Sequence, residues 1–254
     1  MTADTLVATR IWKPCADPVT YGAQHGELDA PLRWEKAERV AVVLDLFLDA
    51  VPDDHIARVF AIMALAPHHV FQILTTRPGR MRSVLRSSDF REHVIDHMCW
   101  YDNPAEVPRL TWPRPNVWLG ASIQDQASAD LCIPALLDTP AAVRWLSCDP
   151  LLGPVDFDLC GRHGRGSVHD EGPGECANCR PLDGWLGLYV SVDWVVVGGE
   201  SAHPDWVRSL RDQCQSSGVP CLSGPWAGWA PDERVDVDVS RHSGPEPVAT
   251  DPRS

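Results

Sequence analysis

Short apolar runs alternate with amphipathic segments along most of the chain. The clearest unit covers residues 116–154, where the apolar runs 116–123 and 142–147 flank a mixed polar and apolar segment. Continuous apolar runs of this length are typical of buried strands, and a crossover of about a dozen residues joins parallel neighbours. The unit therefore predicts a strand, a helical crossover and a second strand parallel to the first.

The same alternation extends on both sides of this unit. Ile56, Val59, Phe60 and Met63 have the spacing of one helical face, and a later helix is predicted to begin at Pro204 and to end at Gly218. Further strands are predicted at residues 40–45, 69–74, 190–199 and 219–222, and further helices around 81–85 and over 89–100.

At least six strands thus alternate with helices, which is typical of two architectures. One is an open doubly wound sheet, and the other is a full or partial (β/α) barrel. Hydrophobic periodicity is the same in both, so the pattern leaves the choice open. Ligands bind at the carboxyl ends of the strands in either case.

Three segments are predicted around this repeat. Residues 1–35 show little periodicity and are expected to form an extended N-terminal arm, while residues 36–230 form the α/β domain. An insertion at residues 157–189 is rich in Gly, Cys and His. Residues 231–254 are acidic and almost free of large apolar groups, so we expect a disordered tail.

Polar side chains and glycines stand where the predicted strands end. These ends share one edge of a parallel sheet, so we expect a substrate or cofactor site there, with Asp45, Thr75, Asp149 and Glu200 facing one cavity. The full candidate set is Asp45, Thr75, Arg77, Ser122, Asp149, Gly198, Gly199 and Glu200.

Each of these features also has a purely structural explanation. A glycine pair before Glu200 permits close approach of the backbone to a ligand, but it also suits an ordinary strand-to-helix turn. Arg77 is able to bind a phosphate or carboxylate, or to lie on the surface at a helix start. Strand-end aspartates act as acids and bases or accept hydrogen bonds from loop amides. No catalytic residue is assigned.

Composition limits the partners, the cellular location and the state of the cysteines that we expect. The formal charge of −13 disfavours non-specific binding to nucleic-acid backbones. No apolar run approaches the roughly 18 residues of a membrane helix, and the N-terminus lacks a signal pattern, so we expect a cytoplasmic protein without a membrane partner. Nine cysteines without regular spacing indicate reduced thiols or a metal site rather than a disulfide framework.

The insertion carries two ligand pairs suited to zinc. Cys160 and His163 form one pair, and Cys176 and Cys179 form the other, each spaced for a tight turn around a tetrahedral ion. His169 is an alternative fourth ligand. The spacing predicts a structural zinc site, because four protein ligands leave no open position for water. The alternative is a disordered insertion with incidental thiols.

Several short runs between residues 28 and 229 resemble one known family in their order. The runs are Val59-Phe-Ala-Ile-Met-Ala-Leu-Ala-Pro67, Leu74-Thr-Thr-Arg-Pro-Gly-Arg-Met81, Asn116-Val-Trp-Leu-Gly120, Thr139-Pro-Ala-Ala-Val-Arg144, Leu146-Ser-Cys-Asp-Pro-Leu-Leu-Gly-Pro154, Asp193-Trp-Val-Val-Val-Gly-Gly-Glu-Ser201 and His203-Pro-Asp-Trp-Val-Arg208. They are similar to the phage "gp thirty-seven/sixty-eight" family, a domain of unknown function found in phages and bacteria together with three-cysteine-motif partner proteins.

The resemblance implies a partial (β/α) barrel of radical-SAM-like type. The functional interpretation of Gly198, Gly199 and Glu200 is that backbone N–H groups and a carboxylate approach a cofactor such as S-adenosylmethionine. Family members begin with a cysteine trio that binds an iron–sulfur cluster, and this chain lacks the trio. Thr76 stands where the family has Lys, and Asp149 stands where it has Glu. The apolar motifs of the family are present, whereas polar residues at the strand ends differ. We therefore expect a degenerate, N-terminally truncated member without an iron–sulfur cluster.

Two functions are compatible with these features. The first is a binding scaffold of phage or mobile-element origin, with a three-cysteine-motif protein as its partner. The second is an enzyme acting on a nucleic-acid-related or small substrate, whose cluster-binding N-terminal segment is missing from this chain. An upstream extension carrying the cysteine trio would favour the enzyme.

Overall fold

The computed structural model describes residues 8–14, 28–101, 110–157, 180–181, 189–190, 192–198 and 202–223. Within these ranges seven strands form one sheet in which all neighbours are parallel, and two more form a small antiparallel pair. The large sheet contains β1 Arg10–Trp12, β2 Arg39–Val42, β3 Val70–Thr75, β4 Val117–Ser122, β5 Val143–Cys148, β8 Trp194–Val197 and β9 Cys221–Ser223; the pair is β6 Arg180–Pro181 and β7 Tyr189–Val190.

The strand order distinguishes between the two predicted architectures. The order across the large sheet is β1-β2-β3-β4-β5-β8-β9, which is also the order along the chain. A doubly wound sheet reverses its strand order at a switch point, whereas a barrel adds every strand on the same side of the last one. The sheet curls into a half-barrel. The partial (β/α) barrel is confirmed, and the doubly wound alternative is excluded.

Five α-helices are described besides a short 3₁₀ helix at Ala30–Arg33. Helix α1 packs against α3, and the rings of Phe60 and Phe90 meet edge to face with centroids 5.6 Å apart. None of the helices in the described ranges has both the length and the hydrophobicity needed to cross a membrane. The bounds are α1 Asp53–Leu65, α2 Pro78–Arg86, α3 Ser88–Tyr101, α4 Gln126–Leu137 and α5 Pro204–Ser217.

The two faces of the sheet have different cores. Phe71, Ile73 and Leu119 belong to the large apolar core that also contains the buried faces of the helices. Side chains of the opposite parity, including Trp118 and Trp145, form a second, smaller core. Successive side chains of a strand point to opposite faces, so the second core lies on the face away from the helices. The helices of a (β/α) barrel cover its outer face, so the second core marks the concave face of the half-barrel.

Local sequence signals set the helix ends. Helix α4 begins with a capping box in which the Asp125 side chain accepts from the Ser128 backbone N–H, and the Ser128 hydroxyl accepts from the Asp125 N–H. Helix α5 has Pro204 in its first turn and ends at Gly218, whose φ of 68° is left-handed. Both bounds predicted for this last helix are confirmed.

Arg144 ties α4 to the sheet. Its guanidinium donates to the carbonyl oxygens of Leu136 at 3.3 Å and Thr139 at 2.7 Å, and the side chain is buried. The last carbonyls of a helix have no partner within the helix, and a cation there also interacts favourably with the helix dipole. This motif residue therefore has a structural role.

Several segments differ from their predictions. Strand β2 ends at Val42 rather than at residue 45, and β9 begins at Cys221 rather than at residue 219. The main strand predicted at residues 190–199 begins at Trp194, because Val190 pairs with Arg180 in the separate antiparallel pair. Asp193 then turns the chain into the sheet, since its carboxylate accepts from the backbone N–H of Arg144 at 2.7 Å. Within the N-terminal arm, residues 10–12 form the edge strand β1. Residues 231–254 lie outside the described ranges.

Candidate functional site at the carboxyl edge of the sheet

The seven parallel strands bring their carboxyl ends to one edge. Asp45 follows β2, Thr75 ends β3 and Ser122 ends β4. Asp149 follows β5 directly, and Gly198 follows β8. Gly199 and Glu200 come next in the sequence but lie outside the described residues. The candidate residues that the structure describes therefore stand at the same edge.

The carboxylate of Asp45 is engaged by the loop after β3. Its Oδ1 accepts from the Thr75 hydroxyl at 2.6 Å and from the backbone N–H of Phe47 at 3.1 Å. Its Oδ2 accepts from the backbone N–H and the hydroxyl of Thr76, both at 2.8 Å. Four donors occupy the carboxylate, so Asp45 joins the ends of β2 and β3.

Thr75 belongs to the same arrangement. Its side chain is 1% exposed, and it lies on the sheet face of Ile73, toward the helices. Besides donating to Asp45, the Thr75 hydroxyl accepts from the backbone N–H of Arg77 at 2.9 Å, which fixes the start of α2. Thr75 therefore holds Asp45 and the start of α2 in place from the helix side of the sheet.

Arg77 differs from its neighbours because its side chain is exposed. It occupies the N-cap position of α2, directly after the Thr75 and Thr76 contacts to Asp45. Within the described part of the chain, no hydrogen bond or ion pair engages its guanidinium. A planar cation with free donors is suited to a carboxylate or phosphate group.

Two serines face each other across β4 and β5 on the concave face. Ser122 pairs in register with Ser147, and the parity of the strands places both on the face of Trp145. Ser147 is 1% exposed, and its hydroxyl has no hydrogen-bond partner in the described structure. Buried hydroxyls are nearly always paired, so this one requires an explanation.

An aromatic stack lies one step deeper on the same face. The indoles of Trp145 and Trp194 are parallel within 8°, with centroids 4.7 Å apart, and both are fully buried. Trp145 also covers Gly120: a Cβ at Gly120 would lie 2.3 Å from Cε2 of the indole. Glycine at position 120 is therefore required for the indole to lie against β4.

Asp149 and Gly198 complete the described edge. Asp149 is half-buried, and the backbone N–H of Gly198 donates to the carbonyl of Cys148 at 3.2 Å. That hydrogen bond extends the pairing of β5 and β8 by one step beyond the strands. The arrangement offers hydroxyls, one carboxylate and one free guanidinium along one edge of the sheet. It is suited to binding a small polar molecule.

The predicted zinc ligands belong to the part of the chain that the structure does not describe. Cys160, His163, Cys176 and Cys179, with the alternative His169, lie outside the described residues. In the ranges that are described, no group of three or more His, Cys, Asp or Glu side chains is arranged to hold a metal ion. The zinc site stays a prediction.

The described cysteines do not fit an iron–sulfur cluster of the radical-SAM kind. Such a cluster needs three thiolates on one loop and leaves one iron position open. The five described thiols instead lie on five different helices and strands. Cys148 and Cys214 are buried among the helix-side core residues. The described free cysteines are Cys99, Cys132, Cys148, Cys214 and Cys221.

Ser147 is the candidate residue that the sequence patterns missed. It lies inside an apolar run, two positions before Asp149, and single serines in such runs carry no distinctive signal. One indirect signal exists, because Ser122, a predicted site residue, lies next to Ser147 on the neighbouring parallel strand. Recognising that clue required the register between β4 and β5.

The fold and the edge define an α/β half-barrel protein with a polar carboxyl edge next to a tryptophan-lined interior. The chain matches, over residues 4–245, a family described as a protein of unknown function, DUF5131, and it belongs to that family. No curated protein and no solved structure matches the chain.

Proposed function

We propose that this protein binds a small polar ligand at the carboxyl edge of its half-barrel, without iron–sulfur chemistry. The observation that carries the proposal is the Ser147 hydroxyl, which is buried and has no partner in the described structure. Leaving such a group unpaired costs about 1–3 kcal/mol. A ligand that supplies the missing hydrogen bond explains why a serine stands there.

The other candidate side chains at the carboxyl edge indicate the chemistry of the ligand. Ser122 adds a second hydroxyl, Asp149 is suited to an amine, and Arg77 is suited to a carboxylate. S-adenosylmethionine carries an amine, a carboxylate and ribose hydroxyls. The resemblance to a radical-SAM-like family favours the same molecule, and Gly198 allows the backbone to approach it closely.

A binding role agrees better with the described residues than catalysis does. The Asp45 carboxylate accepts four hydrogen bonds that join the ends of β2 and β3, which gives it a structural role. The five described cysteines lie on five different helices and strands, so they do not supply three thiolates from one loop. A non-catalytic scaffold requires neither group.

The resemblance also supports the setting of this proposal. We place the protein in a phage or mobile-element context, in the cytoplasm of the host, with a three-cysteine-motif protein as its partner. The described cysteines are free thiols, which agrees with a reducing compartment.

Calorimetry with S-adenosylmethionine tests the proposal on the full chain. Wild type should bind it, and Ser147→Ala should weaken binding by about tenfold, the effect of one lost hydrogen bond of roughly 1.4 kcal/mol. The variant should melt at or above the wild-type temperature, because alanine removes an unpaired buried hydroxyl. Ser83→Ala, on the exposed surface of α2, is the matched control and should bind as wild type does.

Two results would reject this function. If wild type shows no binding to S-adenosylmethionine, the ligand class is wrong. If anaerobic reconstitution of the full chain gives a stable iron–sulfur cluster that cleaves S-adenosylmethionine on reduction, the enzyme hypothesis replaces the binding proposal.

A further inference from the structure

Two cysteine side chains meet between α5 and the edge strand β9. Cys214 lies in the last turns of α5, and Cys221 is the first residue of β9. The turn between them is tight: Gly218 is left-handed, and the Val219 N–H donates to the Cys214 carbonyl at 2.9 Å. The strand therefore returns along the helix end, and Cys221 packs against the helix-side core that contains Cys214, close enough for each thiol to shift the pKa of the other.

The two thiols differ in access to solvent. Cys214 is fully buried in the helix-side core, whereas Cys221 is partly exposed. Cys148, on β5, lies close enough for its charge to influence Cys214 and for the charge of Cys221 to influence Cys148, and it is also fully buried. A solvent-borne oxidant therefore reaches Cys221 before it reaches either of the others.

The charge environment favours the thiolate at Cys221. Interaction with the Cys214 thiol lowers the pKa of Cys221, and the nearby Arg211 guanidinium lowers it further, against the opposing effect of burial. The same interaction and burial raise the pKa of Cys214. Thiolates rather than thiols react with peroxides, so reactivity is concentrated at Cys221.

We propose that Cys221 is a peroxide-reactive site and that it forms a reversible disulfide with Cys214. The Cys221 thiolate attacks one oxygen of hydrogen peroxide, the O–O bond breaks, and hydroxide leaves. The sulfur is now a sulfenic acid, oxidised by two electrons while the peroxide is reduced. Cys214 then attacks this sulfur, the S–O bond breaks, and the thiol proton of Cys214 completes the water that leaves.

The disulfide would join α5 covalently to β9, the strand at one edge of the half-barrel. Thiol reductants reverse it by thiol–disulfide exchange. This site lies on the helix side of the sheet, whereas Ser147 lies on the concave face. The inference is therefore independent of the proposed ligand site.

Mass spectrometry of the full chain tests the proposal directly. Cleavage after arginine yields a peptide of residues 212–234 that contains Cys214 and Cys221 and no other cysteine. After treatment with stoichiometric hydrogen peroxide, this peptide should lose two hydrogen masses and resist alkylation at both thiols. Dithiothreitol should restore both properties. Cys99, partly exposed on α3, is the internal control and should stay alkylatable.

Single variants separate the two roles. In Cys214→Ala the oxidised Cys221 should persist as a sulfenic acid that dimedone traps, while in Cys221→Ser the Cys214 thiol should survive peroxide and alkylate after denaturation. Circular dichroism confirms that each variant is folded, and Cys221→Ser, at the partly exposed position, preserves the buried packing. The proposal is overturned if both thiols of the wild-type peptide survive peroxide, or if Cys221 is found bonded to Cys148.

Discussion

The side-chain amide nitrogen of Asn116 lies 2.8 Å from the carbonyl oxygen of Met63 and donates a hydrogen bond to it. The same nitrogen is 3.3 Å from the carbonyl of Ala66 and 3.2 Å from that of His69. Asn116 precedes β4, so one buried side chain connects the end of α1, the following loop and the sheet. The neighbouring Arg114 donates to Ala64 at 3.1 Å.

Replacing Asn116 should destabilise this junction. Asn116→Ala leaves buried carbonyls without a donor, and we expect a loss of about 2–3 kcal/mol in the free energy of unfolding. Asn116→Asp should cost more, because a carboxylate oxygen would face three carbonyl oxygens. Chemical denaturation measures both, with Gln215→Ala on the exposed face of α5 as the control. An alanine variant as stable as the control would contradict the role of this contact.

Two Gly→Ala substitutions should have opposite effects. Gly120→Ala places a methyl group 2.3 Å from the Trp145 ring, so the indole must leave its stack on Trp194, and we expect a loss of about 1–3 kcal/mol. Gly79→Ala, in α2, meets nothing within 4 Å and should gain about 0.5–1 kcal/mol from helix propensity.

Tryptophan fluorescence during denaturation reports both the stability and the stack. Gly120→Ala should also change the native emission, because Trp145 and Trp194 move relative to each other. Equal stabilities for the two alanine variants would show that Trp145 does not cover Gly120.

His69 should make the fold sensitive to mild acid. Its Nδ1 accepts from the Glu38 N–H at 3.2 Å, and its Nε2 donates to the Pro31 carbonyl at 3.1 Å, so the buried ring is neutral. Burial, and next the neighbouring charge of His68, lower the pKa of His69, with the Pro31 contact opposing them. As the pH falls below about 6.5, the unfolded chain takes up a proton that the folded chain resists, so stability is lost.

Denaturation between neutral pH and pH 5 tests this behaviour. His69→Gln removes the titrating group, so its stability should fall less steeply with acid than that of wild type. His93→Gln, at an exposed position on α3, is the control and should keep the wild-type slope. An unchanged slope for His69→Gln would assign the acid sensitivity to other groups.

Zinc should be present at about one ion per chain. Cys176→Ser combined with Cys179→Ser removes one ligand pair of the predicted four-ligand site, so metal analysis of the purified full chain should show its loss. The far-ultraviolet circular dichroism should change little, because the ligands lie outside the strand and helix repeat. Cys132→Ser, in α4, should keep the zinc. Wild type reconstituted with zinc and still free of metal would refute the site.

The sequence was sufficient for most elements of the fold. The spacing of Ile56, Val59, Phe60 and Met63 marks the buried face of α1, and all four side chains are buried. Gly218 ends α5 as predicted, because few residues other than glycine accept a left-handed backbone at low cost. These signals are local, so they can be read without knowing the partner surface.

The order of the strands needed the tertiary structure. A buried strand has the same apolar pattern in a doubly wound sheet and in a barrel, since both cover its two faces. Only the hydrogen bonds between strands show which strands are neighbours. In the large sheet each strand pairs with the next one along the chain, in the order β1-β2-β3-β4-β5-β8-β9. The shift of the eighth strand to Trp194 has the same origin, because Val190 pairs elsewhere.

The site divides in the same way. The sequence by itself determined that Asp45, Ser122 and Asp149 stand at strand ends, since strand ends follow from local pattern. The tertiary structure decided their roles, because hydrogen-bond partners come from distant segments: Thr75 and Thr76 occupy the carboxylate of Asp45. It also singled out Ser147 and brought Cys214 against Cys221, since burial and register are properties of the packed chain and not of the run of residues.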